Sequence, residues 1–262
     1  MNDINDFCYK CYVVFKYTFF EIIKSKVLMN VFLLGLGLLL ICYIAYSFTY
    51  GVPERVVLDV GLGMLSLSSV GMAIFFGVGL ISKEIENRTI YMILSRPISR
   101  KAFLLGRIMG MVGVLILNIL ILSVLTLVLY VFLGGSIQSL ILISIFFSII
   151  EAIIVLLIVV FFSLITNPTL SVIYTVVVYI IGHSISDTMI NGFAKKSVII
   201  SSILNVYSVI FPNFNKLNLK DLILYKQYLP FTTFCGITTY GLVYMLFLIF
   251  ITSIIFERKN LD

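Results

Sequence analysis

Long uncharged runs recur along this chain, and they limit what it can fold into more than any other feature. Six stretches are almost free of charge: Val27 to Phe48, Asp59 to Ser82, Ile108 to Leu133, Ser139 to Ile165, Thr169 to Asn191 and Cys235 to Phe256. A helix needs about 20 apolar residues to cross a hydrocarbon core of roughly 30 Å, and each stretch is long enough. Membrane β-strands are short and alternate in polarity, so a barrel is excluded. Composition agrees: 61% of the residues are hydrophobic and 11% charged, whereas soluble domains carry roughly 25% charged residues. The surplus apolar surface must face lipid. The expected fold is an all-α integral membrane protein with six transmembrane helices.

The net charge of +6 fits the positive-inside rule; no nucleic-acid-binding motif accompanies it, and no nucleic-acid partner is expected. With the N-terminus on the cytoplasmic side, twelve of the eighteen Lys and Arg residues fall inside. Five of the remaining six lie in one long late loop, where charge weighs less. Both termini are therefore expected in the cytoplasm. The N-terminus does not read as a signal peptide, since its first apolar run starts only after some 26 residues and no small-residue cleavage site follows.

Residues 1–26 are amphipathic. Asp6, Lys10, Tyr17, Glu21 and Lys24 share one face at helical spacing, and Phe7, Val14, Phe15, Phe19, Ile22 and Ile23 populate much of the rest. This predicts an interfacial helix leading into the first span. Residues 192–234 form the outer-face segment: "SVIISSILNVYSVIF" is too short to cross, and "PNFNKLNLKDLILYKQYLP" reads as an outer-face turn followed by a short amphipathic stretch; lying on the outer leaflet and dipping in and returning are both open readings, the second requiring protein or water to satisfy the backbone. Cys8 and Cys11 form a single CxxC, which cannot complete a four-ligand zinc site. No metal site is expected.

The segment "KEIENRTIYMILSRPISRKAFLLGR", residues 83–107, concentrates six basic residues and two carboxylates between two apolar runs. Ile85, Thr89, Met92 and Ile93 recur at helical spacing. Pro97 disfavours helix at Arg96, and Ser99 is placed to cap a second helix that runs through Phe103 into the third span. Glu84, Glu86, Arg88, Thr89, Arg96, Pro97, Ser99, Arg100 and Lys101 make a structured, mixed-charge cytoplasmic knob. Such a knob suits a groove on a soluble partner.

"ISKEIENRTIYMILSRPISRKAFLLGRIMG" resembles the segment between the second and third spans of type-2 ABC exporter permeases, through Glu84, Thr89, Leu94, Ser95, Arg96, Pro97, Ser99, Arg100, Gly106 and Arg107. Among these it is most similar to permeases associated with multicopper-enzyme maturation and nitrous oxide reductase assembly. "FKYTFFEIIKSKVLMNVFLLGL" and "FPNFNKLNLKDLI" resemble other parts of that family; Arg88 departs from it, standing where many relatives have Gly. The resemblance implies a connecting helix at 1–26 and a six-span permease domain at 27–262, with a coupling helix within 83–107. It also implies a second permease copy, two cytoplasmic ABC ATPase subunits carrying ATP and Mg, and export across a prokaryotic inner membrane. The chain has no GxxxxGK[ST] phosphate loop, so no cofactor and no catalytic residue are assigned to it. No Met or Cys/His cluster marks a copper path.

Four polar residues in the spans, Asn118, Glu151, His183 and Asp187, stand out as candidates for a translocation path. Glu151 lies near the bilayer centre, where a charge costs about 3 kcal/mol. Lining a path and tying two helices together are equally open readings for it, with Asn118 as its expected partner. His183 and Asp187, four apart, suit a local pair. Ser69, Ala73 and Gly77 form one small-residue stripe, and Gly106 and Gly110 another; either stripe suits packing within the chain or a seam between copies. A membrane-embedded enzyme needs a polar catalytic set at one depth, which one His and one mid-span Glu do not supply. A non-transporting scaffold or immunity protein is the alternative function.

Overall fold

The computed structural model describes residues 2–24, 28–48, 51, 53–86, 98–190, 211–224 and 228–258. They are helical throughout, with no strand among them. In chain order the helices are α1 (Asn2–Ile22), α2 (Leu28–Phe48), α3 (Pro53–Glu86), α4 (Arg100–Phe132), α5 (Ser139–Ile165), α6 (Pro168–Ile190), α7 (Lys220–Leu224) and α8 (Phe231–Arg258). A 3₁₀ turn at Phe214–Lys216 precedes α7.

Four of the described helices are long and apolar enough to cross a membrane: Pro53–Val78 within α3, then α4, α5 and α8. Helices α2 and α6 carry shorter apolar stretches, Leu33–Phe48 and Pro168–Ser184. Large apolar side chains cover the outside, among them Leu40, Tyr43 and Ile44 on α2 and Val243, Leu246 and Phe250 on α8. A soluble monomer rarely exposes contiguous apolar surface on this scale. The chain is an all-helical membrane protein.

Helix α5 is the central rod. Ile154 through Val160 are all buried, because α3, α4, α6 and α8 surround this helix. A helix that is apolar on every face belongs in such a position. Hydroxyls inside the bundle bond back to their own helix: Thr126 donates to the Leu122 carbonyl at 2.9 Å and Thr252 to that of Leu248 at 2.6 Å. That satisfies them where water is absent.

Several helices run beyond the expected span boundaries. Helix α3 starts at Pro53, six residues before Asp59, and α4 starts at Arg100, eight residues before Ile108. Helix α8 runs from Phe231 to Arg258, beyond Cys235 and Phe256. The expected ends marked apolar runs, whereas helices stop at caps. Pro at the first helical position and Glu54 in the first turn favour the early start of α3. At α4 the Ser99 hydroxyl accepts from the Ala102 N–H at 3.3 Å, the cap expected from sequence.

Candidate functional site

Two places gather polar side chains. The first is the end of the bundle where α1, the start of α4 and the end of α8 meet. Cys11, Val14, Thr18 and Ile22 form the buried stripe of α1, and α4 meets it with glycines. A β-carbon on Gly106 would lie 2.6 Å from Val14 Cβ and 2.8 Å from the Cys11 carbonyl; one on Gly110 would lie 2.6 Å from Thr18. This stripe therefore packs α1 within the chain. Small residues allow such backbone approach.

Arg107 locks the same seam. Its side chain is 6% exposed, and Nη1 donates to Glu21 Oε2 at 2.6 Å and to Thr18 Oγ1 at 3.2 Å. The Phe103 ring lies 6.0 Å from the guanidinium carbon. Glu21 stays exposed, as its place on the polar face of α1 predicts, and also reaches Arg107. Across the first turn of α4, Arg100 Nη1 donates to the Glu257 carbonyl at 3.1 Å, and Lys101 Nζ lies 3.2 Å from Glu257 Oε1. The root of α4 is thus held by α1 on one side and α8 on the other. Arg88, Thr89, Arg96 and Pro97 lie outside the described residues. Glu84 and Glu86 belong to α3, which runs through Glu86; their side chains lie outside the described residues.

The CxxC on α1 splits into two environments. Cys8 is exposed, and Cys11 is buried with its thiol 4.0 Å from Met109 Sδ. Burial, and then the neighbouring Cys8, push the Cys11 thiol above its ordinary pKa. Among the described residues no group of three His, Cys, Asp or Glu side chains is placed to hold a metal ion.

The second place is deep in the bundle. Glu151 sits on α5 about 18 Å along the helix from Ser139 and is 4% exposed. Its Oε1 accepts from the Tyr179 hydroxyl at 3.0 Å and lies 3.7 Å from His183 Nε2. Tyr179 and His183 are one turn apart on α6, so both reach the same carboxylate. Ser66 of α3 lies within reach of the Tyr179 hydroxyl, and Lys220 of α7 acts electrostatically on Glu151.

This cluster is roofed by the segment from Phe211 to Leu224. Phe214 is fully buried, with its ring centroid 5.2 Å from that of Tyr179 and 5.7 Å from that of His183. Gly182 makes room for it: a β-carbon there would lie 2.3 Å from the Pro212 carbonyl oxygen and 2.6 Å from the Phe214 ring. The Asn213 N–H donates to the Tyr240 hydroxyl at 2.8 Å, and Lys216 Nζ lies 5.3 Å from the centre of the Tyr240 ring. The segment expected as a turn and a short amphipathic stretch enters the bundle and closes over the polar cluster.

One expected pairing is corrected. Asn118 is not the partner of Glu151. It is fully buried on α4, and its Nδ2 donates to Ser68 Oγ on α3 at 3.4 Å. Its side of α4 faces α3. The expected His183–Asp187 pair falls on a side chain outside the described residues; His183 Nε2 lies 3.7 Å from Glu151 Oε1. The stripe at Ser69, Ala73 and Gly77 packs inside the chain. Ser69 and Ala73 are buried, and a β-carbon on Gly77 would lie 1.8 Å from Val159 of α5. Tyr179, Ser68, Phe214 and Lys220 were missed by sequence reasoning. Only the helical spacing of Tyr179 and His183 signalled any of them.

None of the known protein-family models matches the chain, and no curated protein matches it.

Proposed function

We propose that the chain is the permease subunit of an ATP-driven type-2 exporter in a prokaryotic inner membrane. In this reading it has six spans, with α2 and α6 as the first and fifth, and both termini are cytoplasmic. It works as a homodimer with two ATPase subunits. Residues 83–99 take up motion from the ATPases, and α4 carries that motion into the bundle.

The observation that supports this reading best is the bracing of α4 at its root. A segment that passes on force needs a stiff mount. Here Ser99 caps α4, the glycine seam and Arg107 fix it to α1, and Glu257 fixes it to α8. The resemblance of residues 81–110 to the coupling region of such permeases points the same way. In this reading the cluster of Glu151, Tyr179 and His183 under its roof serves as the polar constriction of a path closed toward the outer face. Two packed arrangements of the bundle then alternate access.

The test is to purify the tagged chain from its native membrane. A nucleotide-hydrolysing subunit should copurify, and Arg96→Glu should lower the coupled ATP hydrolysis while leaving the chain folded. Complexes free of any ATPase, or labelling of an Arg96→Cys variant from the outer side, would refute the reading. A scaffold or immunity protein would keep its effect when residues 87–97 are deleted, and a permease would lose it.

A further inference from the structure

Helix α1 turns its apolar stripe toward α4. Cys11, Val14, Thr18 and Ile22 are buried, and the contacts climb α4 in step: Val14 packs on Gly106, Thr18 on Gly110 and Phe19 on Gly113. That seam fixes the rotation of α1 and leaves the opposite side outward. There Tyr9, Tyr12, Tyr17 and Phe20 are 66%, 59%, 74% and 47% exposed, with Lys16 and Lys24 exposed beside them. At roughly 100° per residue, Lys16, Tyr17, Phe20 and Lys24 fall within about a third of the helix circumference.

The depth of this face follows from α4. Its charged residues, Arg100, Lys101 and Arg107, all precede Ile108, and no charge follows through Phe132. The hydrocarbon therefore begins beyond Arg107, and Arg107 itself donates to Thr18 and Glu21. The second half of α1 thus lies at the level of the lipid headgroups, a layer about 5–8 Å deep on each side of the core. The start of the apolar helix α2 at Leu28, shortly after Lys24, agrees. Tyrosine suits this layer, because its ring is apolar and its hydroxyl polar.

Charge decides which lipid the face prefers. Both carboxylates described on α1 are engaged, Asp6 by Lys10 and Glu21 by Arg107. Lys16 and Lys24 make no ion pair among the described residues. Two uncommitted ammonium groups therefore stand among aromatic rings at headgroup depth. A headgroup with net negative charge is their complement, whereas a zwitterionic one brings its own cation and offers less. The outward face of α8 supplies the contrast. Val243, Leu246 and Phe250 are 60%, 66% and 66% exposed, and no charged residue lies between Phe231 and Phe256.

We propose that the outward face of α1 is a docking surface for anionic phospholipid, with Lys16 and Lys24 on the headgroup phosphate and Tyr17 and Phe20 against the glycerol backbone. Lipid contact alone would follow for any interfacial helix; the rotation of α1 adds a choice of headgroup. The inference stands apart from the exporter reading, since it needs a membrane-embedded bundle and no ATPase.

The test places the full chain in phosphatidylcholine nanodiscs containing a minor share of a photoactivatable probe lipid. The probe is phosphatidylglycerol or phosphatidylcholine, each with a diazirine at the top of one acyl chain, and labelled peptides are mapped by mass spectrometry. Phosphatidylglycerol should label residues 12–24 about fivefold more than phosphatidylcholine, the worth of one lysine beside an anionic headgroup. The outward face of α8 should not distinguish the probes. Lys16→Gln with Lys24→Gln should bring the α1 ratio close to equality, and Lys16→Arg with Lys24→Arg should keep it. High salt should shrink the preference. Soluble glycerol phosphate should not compete; competition would mean a free phosphate ligand and overturn the lipid surface. Equal labelling of α1 by both probes in the native chain means ordinary lipid contact and overturns the proposal. Labelling by neither probe overturns it too, and a cross-link from Tyr12→Cys to a soluble subunit or a second copy would then name the protein that covers the face. A chain that copurifies with no ATPase yet keeps the headgroup preference refutes the exporter reading and leaves this surface standing.

Discussion

The guanidinium of Arg107 holds the Glu21 carboxylate at 2.6 Å although 86 positions separate them. The pair is asymmetric. Arg107 is almost fully buried, whereas the Glu21 side chain is 56% exposed, so solvent screens much of the attraction. Removing the two partners should therefore have unequal effects. Arg107→Met strips Thr18 and Glu21 of their donor and should lower stability by about 1–3 kcal/mol. Glu21→Gln should lower it by no more than about 1 kcal/mol. Thermal unfolding of the purified chain, run as a double-mutant cycle, checks both. Equal losses from the two single substitutions would show that the pair is not organised around the buried arginine.

The seam beneath that pair predicts a graded glycine series. Gly106→Ala and Gly110→Ala each place a carbon within 2.6 Å of α1, and overpacking of this kind costs about 1–3 kcal/mol. Gly37→Ala meets nothing within 4 Å and should raise stability slightly, since Gly weakens a helix relative to Ala. Limited proteolysis in detergent supplies the readout. The α1 segment should become cleavable in the first two variants and stay protected in the third.

The contrast between these glycines also marks what sequence reasoning reaches. Helix existence was legible, because apolar runs of this length have one outcome in lipid. The Ser99 cap was legible because capping is local chemistry. The small-residue stripes were visible as stripes, but their partners were not: spacing tells which residues share a face, not which helix arrives there. Asn118 shows the limit most clearly. Its place on α4 followed from counting residues, yet its pairing with Ser68 depends on the rotation of α4 against α3. For the segment after the long loop, lying on the outer leaflet and dipping in were both open readings; that Phe214 is the residue that turns inward was not legible, since so short a segment carries no periodicity that says which way it faces.

That inward segment yields a third prediction. Gly182→Leu sets a side chain against the Pro212 carbonyl and the Phe214 ring, so the roof must lift. Leu217 is buried in the native chain, and a Leu217→Cys probe in a background lacking the native cysteines should react slowly with a water-soluble maleimide. Adding Gly182→Leu should raise the rate by an order of magnitude or more, about 1.4 kcal/mol of lost closure. An unchanged rate would mean that the segment stays in place without the Gly182 contact. Phe214→Ala, which empties a fully buried position, should have the same direction of effect and cost about 3–5 kcal/mol.

The two cysteines of the N-terminal pair should separate in alkylation. Thiolate is the reactive form, and a raised pKa delays its appearance to higher pH. Burial and the adjacent Cys8 act in that sense on Cys11. In a chain lacking Cys42 and Cys235, Cys8 should be modified first. The Cys11 rate should keep climbing as the pH passes about 8.5, the ordinary thiol value. Gly106→Leu, which pushes α1 from α4, should bring the two rates together. Peptide mapping after timed alkylation at several pH values reads this directly, and a Cys11 that reacts as fast as Cys8 in the native chain would show its burial to be too shallow to matter.

The last prediction concerns Glu151, where charge and hydrogen bonding can be separated. The side chain accepts from Tyr179 in the middle of the bundle, so it combines a costly desolvated group with a favourable bond. Glu151→Gln keeps an oxygen for Tyr179 and removes the ionisable group; it should leave stability unchanged or raise it by about 1 kcal/mol. Tyr179→Phe does the reverse, leaving the carboxyl group without that donor, and should lower stability by about 1–3 kcal/mol. In the double variant the Tyr179→Phe cost should shrink, since an amide is cheaper to leave unpaired than a carboxylate. If Glu151 serves only to tie α5 to α6, Glu151→Gln should also leave transport intact. Loss of vesicle transport in a variant that unfolds at or above the native temperature assigns the carboxylate to the path itself, because its packing and its bond to Tyr179 are then both preserved.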